Sequence, residues 1–219
     1  GTAEVAGTNA DTYEMGLSAD DFTNTSGNFA NVRFDVTDGF LKITKREVEF
    51  TANSASKAYD GKALTDDGYT LTGGSLAENQ NETVTVVGSQ TLVGSSDNEI
   101  TEVGIVAGGA VTRALGEDVT DNYAITTIKG TLTVTDGTEN DPVDPGKVVT
   151  KTHEDAAYDL GETVTFTISV TNIYDTAKTI TITELPGVAI EGADASKPNV
   201  LVVIDVPAGE TITATATYT

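Results

Sequence analysis

Apolar and polar residues alternate with a period of two along most of this chain. The pattern is plain in Val32-Arg33-Phe34-Asp35-Val36, Val48-Glu49-Phe50-Thr51-Ala52, Leu132-Thr133-Val134 and Val164-Thr165-Phe166-Thr167-Ile168-Ser169-Val170. It continues in Ile180-Thr181-Ile182 and Ile212-Thr213-Ala214-Thr215-Ala216. A strand turns successive side chains to opposite faces, so each run puts its apolar residues on one face of a half-buried sheet. The threonines on the other face are β-branched, which suits a strand, and polar enough to stay wet. Residues 200–206 are more continuously apolar, which predicts a strand covered on both faces. Helical periodicity is nearly absent; Ser18-Ala19-Asp20-Asp21-Phe22 predicts one short helical turn. Thr37-Asp38-Gly39, Tyr59-Asp60-Gly61, Asp66-Asp67-Gly68 and Pro207-Ala208-Gly209 supply the chemistry of tight reversals. The pattern predicts an all-β protein with several strands per module.

The strands recur in blocks. Gly39-Phe40-Leu41-Lys42-Ile43-Thr44 returns 91 residues later as Gly130-Thr131-Leu132-Thr133-Val134-Thr135. Upstream, Val5-Ala6-Gly7-Thr8 matches Leu92-Val93-Gly94-Ser95, and Met15-Gly16-Leu17 matches Val103-Gly104-Ile105. The second copy is longer between its last two glycine sites, which predicts a small hairpin insertion around Gly108-Gly109-Ala110-Val111-Thr112. A fixed period is the mark of tandem modules. Residues 1–45 read as the back half of a repeat, 46–136 as a full repeat, and the chain as a slice through a longer protein. Asp136 to Gly146 carries two prolines, two glycines and four acids in eleven residues. That composition predicts a stiff acidic linker over 137–146, followed by a last domain over 147–219.

Charge narrows the function classes. The chain has 34 acids against 12 bases and a net charge of -22, spread over all its segments. Such a surface repels phosphate backbones and anionic lipid, which argues against nucleic-acid partners and direct membrane contact. No stretch is apolar enough to span a bilayer, and no signal peptide is present. Cysteine is absent, so neither a disulfide framework nor a thiolate metal site is available.

Two segments resemble known families. Ala58-Tyr59-Asp60-Gly61-Lys62-Ala63-Leu64, then Gly68-Tyr69, Asn122-Tyr123 and Gly130-Thr131-Leu132-Thr133-Val134-Thr135 resemble the YDG/MBG-type repeat of bacterial surface adhesins. The resemblance covers 46–136, with 1–45 as the tail of a preceding copy. Gly161-Glu162-Thr163-Val164-Thr165-Phe166-Thr167-Ile168-Ser169-Val170-Thr171-Asn172 is similar to the immunoglobulin-like repeat of bacterial cell-wall stalk proteins. Thr183-Glu184-Leu185-Pro186-Gly187-Val188 and Val206-Pro207-Ala208-Gly209-Glu210-Thr211 add to it. The Leu-Pro turn lacks the family's spacer, and the family's usual further strand does not follow Tyr218-Thr219. The resemblances imply elongated tandem, immunoglobulin-like β-sandwich modules. They imply an extracellular place on a Gram-positive cell surface, neighbouring domains of the same surface protein as partners, and a structural or adhesive role. They also imply a candidate Lys–Asn isopeptide bond, with Lys147 or Lys151 as amine and Glu184 as proton relay.

Candidate chemistry is sparse. Asp136, Glu139, Asn140, Asp141 and Asp144 offer hard oxygen ligands to a calcium ion, or form a merely solvated acidic linker. Tyr59-Asp60-Gly61 is a ligand site or, more simply, a turn with a tyrosine anchor. Tyr13, Tyr69, Tyr123 and Tyr174 are the candidates for stacking on a host glycan or mucin. His153 lacks a G-x-S-x-G partner motif and reads, with Lys151, Glu154 and Asp155, as a solvated strand end. Paired acids such as Asp20-Asp21, Asp66-Asp67 and Glu117-Asp118 are expected in an acidic chain, and neighbours on a strand point apart. The sequence therefore points to a non-catalytic protein.

Overall fold

The computed structural model describes residues 4–108, 116–154 and 157–219. Most of the expected hairpin insertion, and Asp155, lie outside the described residues. Among the described residues sixteen strands follow in chain order, with three-residue 3-10 turns as the only helix. They are β1 (Thr12–Glu14), β2 (Phe40–Lys42), β3 (Arg46–Ala52), β4 (Ala55–Ala58), β5 (Tyr69–Gly74), β6 (Gln80–Val87), β7 (Gly94–Ala107) and β8 (Glu117–Asp118). Then come β9 (Tyr123–Ile128), β10 (Gly130–Thr135), β11 (Val149–His153), β12 (Val164–Thr171), β13 (Lys178–Thr183), β14 (Ala189–Ile190), β15 (Val200–Val206) and β16 (Thr211–Tyr218). The all-β, sandwich-like expectation is met.

The chain divides into two compact units. One holds the residues up to Thr51 with Tyr69–Thr85 and Ile100–Ile128; the other holds Ala52–Gly68, Val86–Glu99 and Lys129–Thr219. The boundaries read from sequence at 45/46 and 136/137 fall inside these units.

In the first unit β3 is the centre of a three-stranded sheet, between β5 and β9. β3 and β9 run parallel, from Arg46↔Tyr123 to Thr51↔Ile128. The alternation of β3 is what buries Val48 and Phe50, and Phe50 meets the Tyr69 ring edge-on at 6.1 Å. β1 and β2 form a separate antiparallel pair. The helical turn expected at 18–22 is a 3-10 turn, Ala19–Asp21, closed by the Ser18 N–H donating to Asp21 Oδ2 at 2.7 Å. That hydrogen bond holds the Asp21 carboxyl below its ordinary value.

In the second unit β10 lies between β4, to which it is parallel, and the first half of β7, to which it is antiparallel. Leu132 and Val134 on its inner face are fully buried. Beyond it, β11-β12-β16-β14 form a four-stranded sheet and β13-β15 a two-stranded one. Ile168, Ile182, Val188, Ile190, Ala214 and Ala216 close the core between them. Burying such side chains contributes roughly 1.5–3 kcal/mol for each large one.

Two strand expectations are corrected. Residues 32–36 have the right alternation but form no strand. Residues 200–206 do form β15, but Val202 and Ile204 are 54% and 69% exposed. Among the described residues nothing covers the face of β15 that carries Val202 and Ile204, and β13 is its one strand neighbour.

Candidate functional site

The residues that converge do so around the acidic Pro-Gly segment of the second unit. Residues 137–146, expected to be a stiff acidic linker, are folded down. Gly137 takes φ +96, and Thr138 and Asp141 exchange backbone hydrogen bonds at 2.8 and 3.2 Å. Asp144 caps the 3-10 turn Pro145–Lys147 by accepting from the Gly146 N–H at 2.9 Å. Val143 packs, with Val148, Leu92 and Tyr174, onto a small core made by Tyr59, Val134 and Ile173.

Hydrogen bonds distant in sequence fasten it on both sides. Asp141 Oδ2 accepts from the Ala58 N–H at 2.9 Å. The Tyr174 hydroxyl donates to Asp136 Oδ2 at 2.8 Å, and that hydrogen bond holds the phenol above its ordinary pKa. Lys178 Nζ lies 4.6 Å from the centre of the Tyr174 ring, within cation–π range. Val93 adds a bridge of its own: its N–H donates to Ile173 O at 2.7 Å, and its carbonyl accepts from the Asp175 N–H at 3.0 Å. A shallow groove of about 510 Å³ opens beside these groups, with Val143, Val148, Ile180, Tyr174, Lys178 and Asp136 on its walls.

Asn172 organises the loop that carries Tyr174. It is 2% exposed. Its Nδ2 donates to the carbonyls of Thr176, Val206 and Pro207, each at 2.9 Å, and its Oδ1 accepts from the Tyr174 N–H at 3.1 Å. The terminal asparagine of the V-x-F-x-I-x-V-x-N run therefore ties the end of β12 to the β15–β16 turn. A second buried amide, Asn98 on β7, escaped sequence reasoning. Its Nδ2 donates to Asn53 O and Asp66 O, both at 2.9 Å. Its Oδ1 accepts no hydrogen bond and lies against Gly88, where an added Cβ would stand 2.5 Å away.

The candidate calcium ligands are not gathered around one point. Asp136, Asp141 and Asp144 each accept from a different protein donor, and Glu139 and Asn140 are exposed. Among the described residues no group of three or more acids and histidines is placed to hold a metal ion. Tyr59-Asp60-Gly61 forms a turn: Tyr59 is 8% exposed, Gly61 has φ +78, and Asp60 accepts from the Lys62 N–H at 2.9 Å. Tyr123 is buried, and its hydroxyl donates to Gln80 and accepts from the Ala77 N–H. Tyr69 packs on Phe50, and burial pushes its phenol up. Tyr13 hydrogen-bonds to Asn9 O, and Tyr174 alone of the four lines the groove. His153 stands edge-on to Tyr158 and Phe166, 6.0 and 6.2 Å away. Lys151 does meet Glu184, at 2.6 Å, with its amine 4.3 Å from the Phe166 ring centre. The Asn199 amide donates to the Glu184 main-chain carbonyl at 2.8 Å. No family model matches the chain, and no curated protein or solved structure matches it either.

Proposed function

We propose that this chain is a non-catalytic, load-bearing stretch of a bacterial cell-surface protein, a stalk that carries a binding region away from the cell wall. The observation that supports this most is the fastening of 137–146. A stalk transmits force only where its joints resist bending and extension. A chain without cysteine has no disulfide for that task. Here the acidic Pro-Gly segment, whose composition predicts a stiff linker, is held further by Asp141 on Ala58, Tyr174 on Asp136, and Val143 in a shared core. The surface charge of -22 fits a self-repelling extracellular segment. The Lys151–Glu184 pair stands where the resemblance to wall stalk proteins implies an amine and its proton relay.

The glycan reading rests on one site. Tyr174, Lys178 and Asp136 give the groove an aromatic face, a cation and a carboxylate. The two readings separate on a display experiment. The chain is inserted between a wall anchor and an unrelated binding head on a bacterial surface, with a Gly/Ser linker of equal length as control. The stalk reading expects firm attachment under flow with this chain and loss of it with the linker. Equal attachment with both, together with glycan-array binding that Tyr174→Ala abolishes, would replace it with the glycan reading.

A further inference from the structure

The repeated segment occurs in two very different settings. Residues 31–44 align without a gap on 122–135, Asn31 on Asn122 and Gly39 on Gly130. In the second copy both parts of the segment have strand neighbours on the 46–58 stretch. β9 pairs in parallel with β3, and β10 in parallel with β4. In the first copy, among the described residues, β2 pairs with β1 alone and residues 32–36 enter no ladder. Burial follows the pairing. Tyr123 is 5% exposed but its counterpart Val32 is 42% exposed. Leu132 and Val134 are at 0% and 1%, while their counterparts Leu41 and Ile43 are only half-buried. Phe40 is exposed too.

Gly39 supplies an independent sign. Gly130 must be glycine because the β3–β4 turn passes over it: an added Cβ would stand 2.0 Å from the Asn53 carbonyl oxygen and 2.7 Å from that of Ala52. At Gly39 the three atoms nearest an added Cβ all belong to the flexible Met15 side chain, with its sulfur at 2.8 Å. It is not among the glycines with positive φ either. Nothing described around Gly39 demands a glycine, whereas a strand–turn–strand lying across it would.

We propose that residues 31–44 are an acceptor for a strand pair with the pattern of 46–58, supplied by another stretch of polypeptide. The incoming pair would add one parallel strand beside 32–36 and another beside β2, completing the first module as β3 and β4 complete the second. Main-chain hydrogen bonds supply affinity at an open edge, and alternating pockets supply register. The register of the second copy puts Arg33 opposite the position of Glu47 and Asp35 opposite that of Glu49. One rung is charge-matched and the next opposed, so a donor with Glu49→Lys binds more tightly. The inference rests on 1–45 being half of a repeat; it does not depend on the load-bearing role.

The test uses the full chain with a synthetic peptide of residues 46–58, read by amide hydrogen exchange. Exchange over 31–44 slows by about tenfold or more on binding, as expected for new ladder hydrogen bonds. The same slowing appears when the peptide sequence is fused ahead of Gly1 through a Gly/Ser linker. Gly39→Val abolishes the protection while lowering the melting temperature of the free chain by no more than about 5 °C, since only the Met15 side chain must move. The proposal is overturned by any of three results. One is no slowing with either the peptide or the fusion. The second is equal slowing with a scrambled peptide or with the Gly39→Val chain. The third is a change confined to 122–135, which would mean exchange with the resident strands.

Discussion

Asn172→Asp removes the fewest atoms of any informative change in this protein and has a large expected effect. The Asn172 amide offers two protons to three carbonyl oxygens, those of Thr176, Val206 and Pro207, at 2.9 Å. With Ala in its place, two donated hydrogen bonds vanish and the Tyr174 N–H loses its acceptor. Each net hydrogen bond contributes about 1 kcal/mol, and each buried group left unsatisfied costs about 1–3 kcal/mol. Partial rescue by water puts Asn172→Ala at roughly 3 kcal/mol, which is a factor of more than a hundred in the unfolding equilibrium. Asp is nearly isosteric but carries no proton at neutral pH. It would set a negative charge against three carbonyl dipoles at a site 2% exposed. Asn172→Asp therefore costs more than Asn172→Ala, about 4 kcal/mol or beyond at pH 7. Acid narrows the gap, because a protonated carboxyl regains one donor. Urea unfolding by circular dichroism at pH 7 and pH 4 measures both differences. Native amide exchange at Tyr174 and Thr176 shows whether the loop opens. Asn172→Asp within about 0.5 kcal/mol of the parent would refute the claim that this amide organises the loop.

Three further outcomes are expected. Gly130→Ala drives a Cβ to 2.0 Å from the Asn53 backbone oxygen and loses about 3 kcal/mol or more in chemical denaturation, whereas Gly39→Ala displaces only the Met15 side chain and loses less than about 1 kcal/mol. Asp60 is held below its ordinary 3.8 first by the Lys57 ammonium and then by the Lys62 N–H. A depressed carboxyl adds stability that is present above its unfolded value and lost as the pH falls through its lower folded value. The stability gap between the parent and Asp60→Asn should thus be constant well above pH 3.8 and narrow as the pH falls below it, as read from urea midpoints. Val93→Pro removes the N–H that donates to Ile173 O at 2.7 Å; it lowers stability by about 1–3 kcal/mol and speeds amide exchange at Asp175, whose donor bond is to the same residue.

The legible part of the fold is the part where local pattern and local burial coincide. β3, β10, β12 and β16 each have one face on a core, so their period-two alternation is visible without knowing their partners. β7 is the longest strand, yet Gly94-Ser95-Ser96-Asp97-Asn98-Glu99 opens it with six residues of no apolar pattern. It is held there by β10 and by the Asn98 amide, neither of which is local in sequence. Residues 32–36 show the converse. Their alternation is sound, but a strand exists only in a ladder, and no described residue supplies one. The same reason hid the site. Prolines, glycines and acids at 137–146 state only that the segment is polar and turn-rich. That Asp141 finds an N–H 83 positions away, and Asp136 a hydroxyl 38 positions away, follows from topology. Asp136, Asp141 and Asp144, by sequence either cation ligands or part of a solvated linker, each accept from a protein donor instead. The resemblance implies Lys151 with Glu184 only as one option, beside Lys147, and the sequence alone gives no role to Asn172, which ends the V-x-F-x-I-x-V-x-N run.

Pulling the chain from its two ends in a single-molecule force experiment tests the load-bearing account most directly. Ten residues of open linker would lengthen by up to roughly 35 Å as they straighten. With 137–146 fastened as described, the force–extension curve should show no such gradual lengthening at low force, and extension should begin with an abrupt rupture. Val93→Pro and Tyr174→Phe should lower that rupture force. Smooth low-force lengthening of about 35 Å before any rupture, unchanged in both variants, would contradict the account.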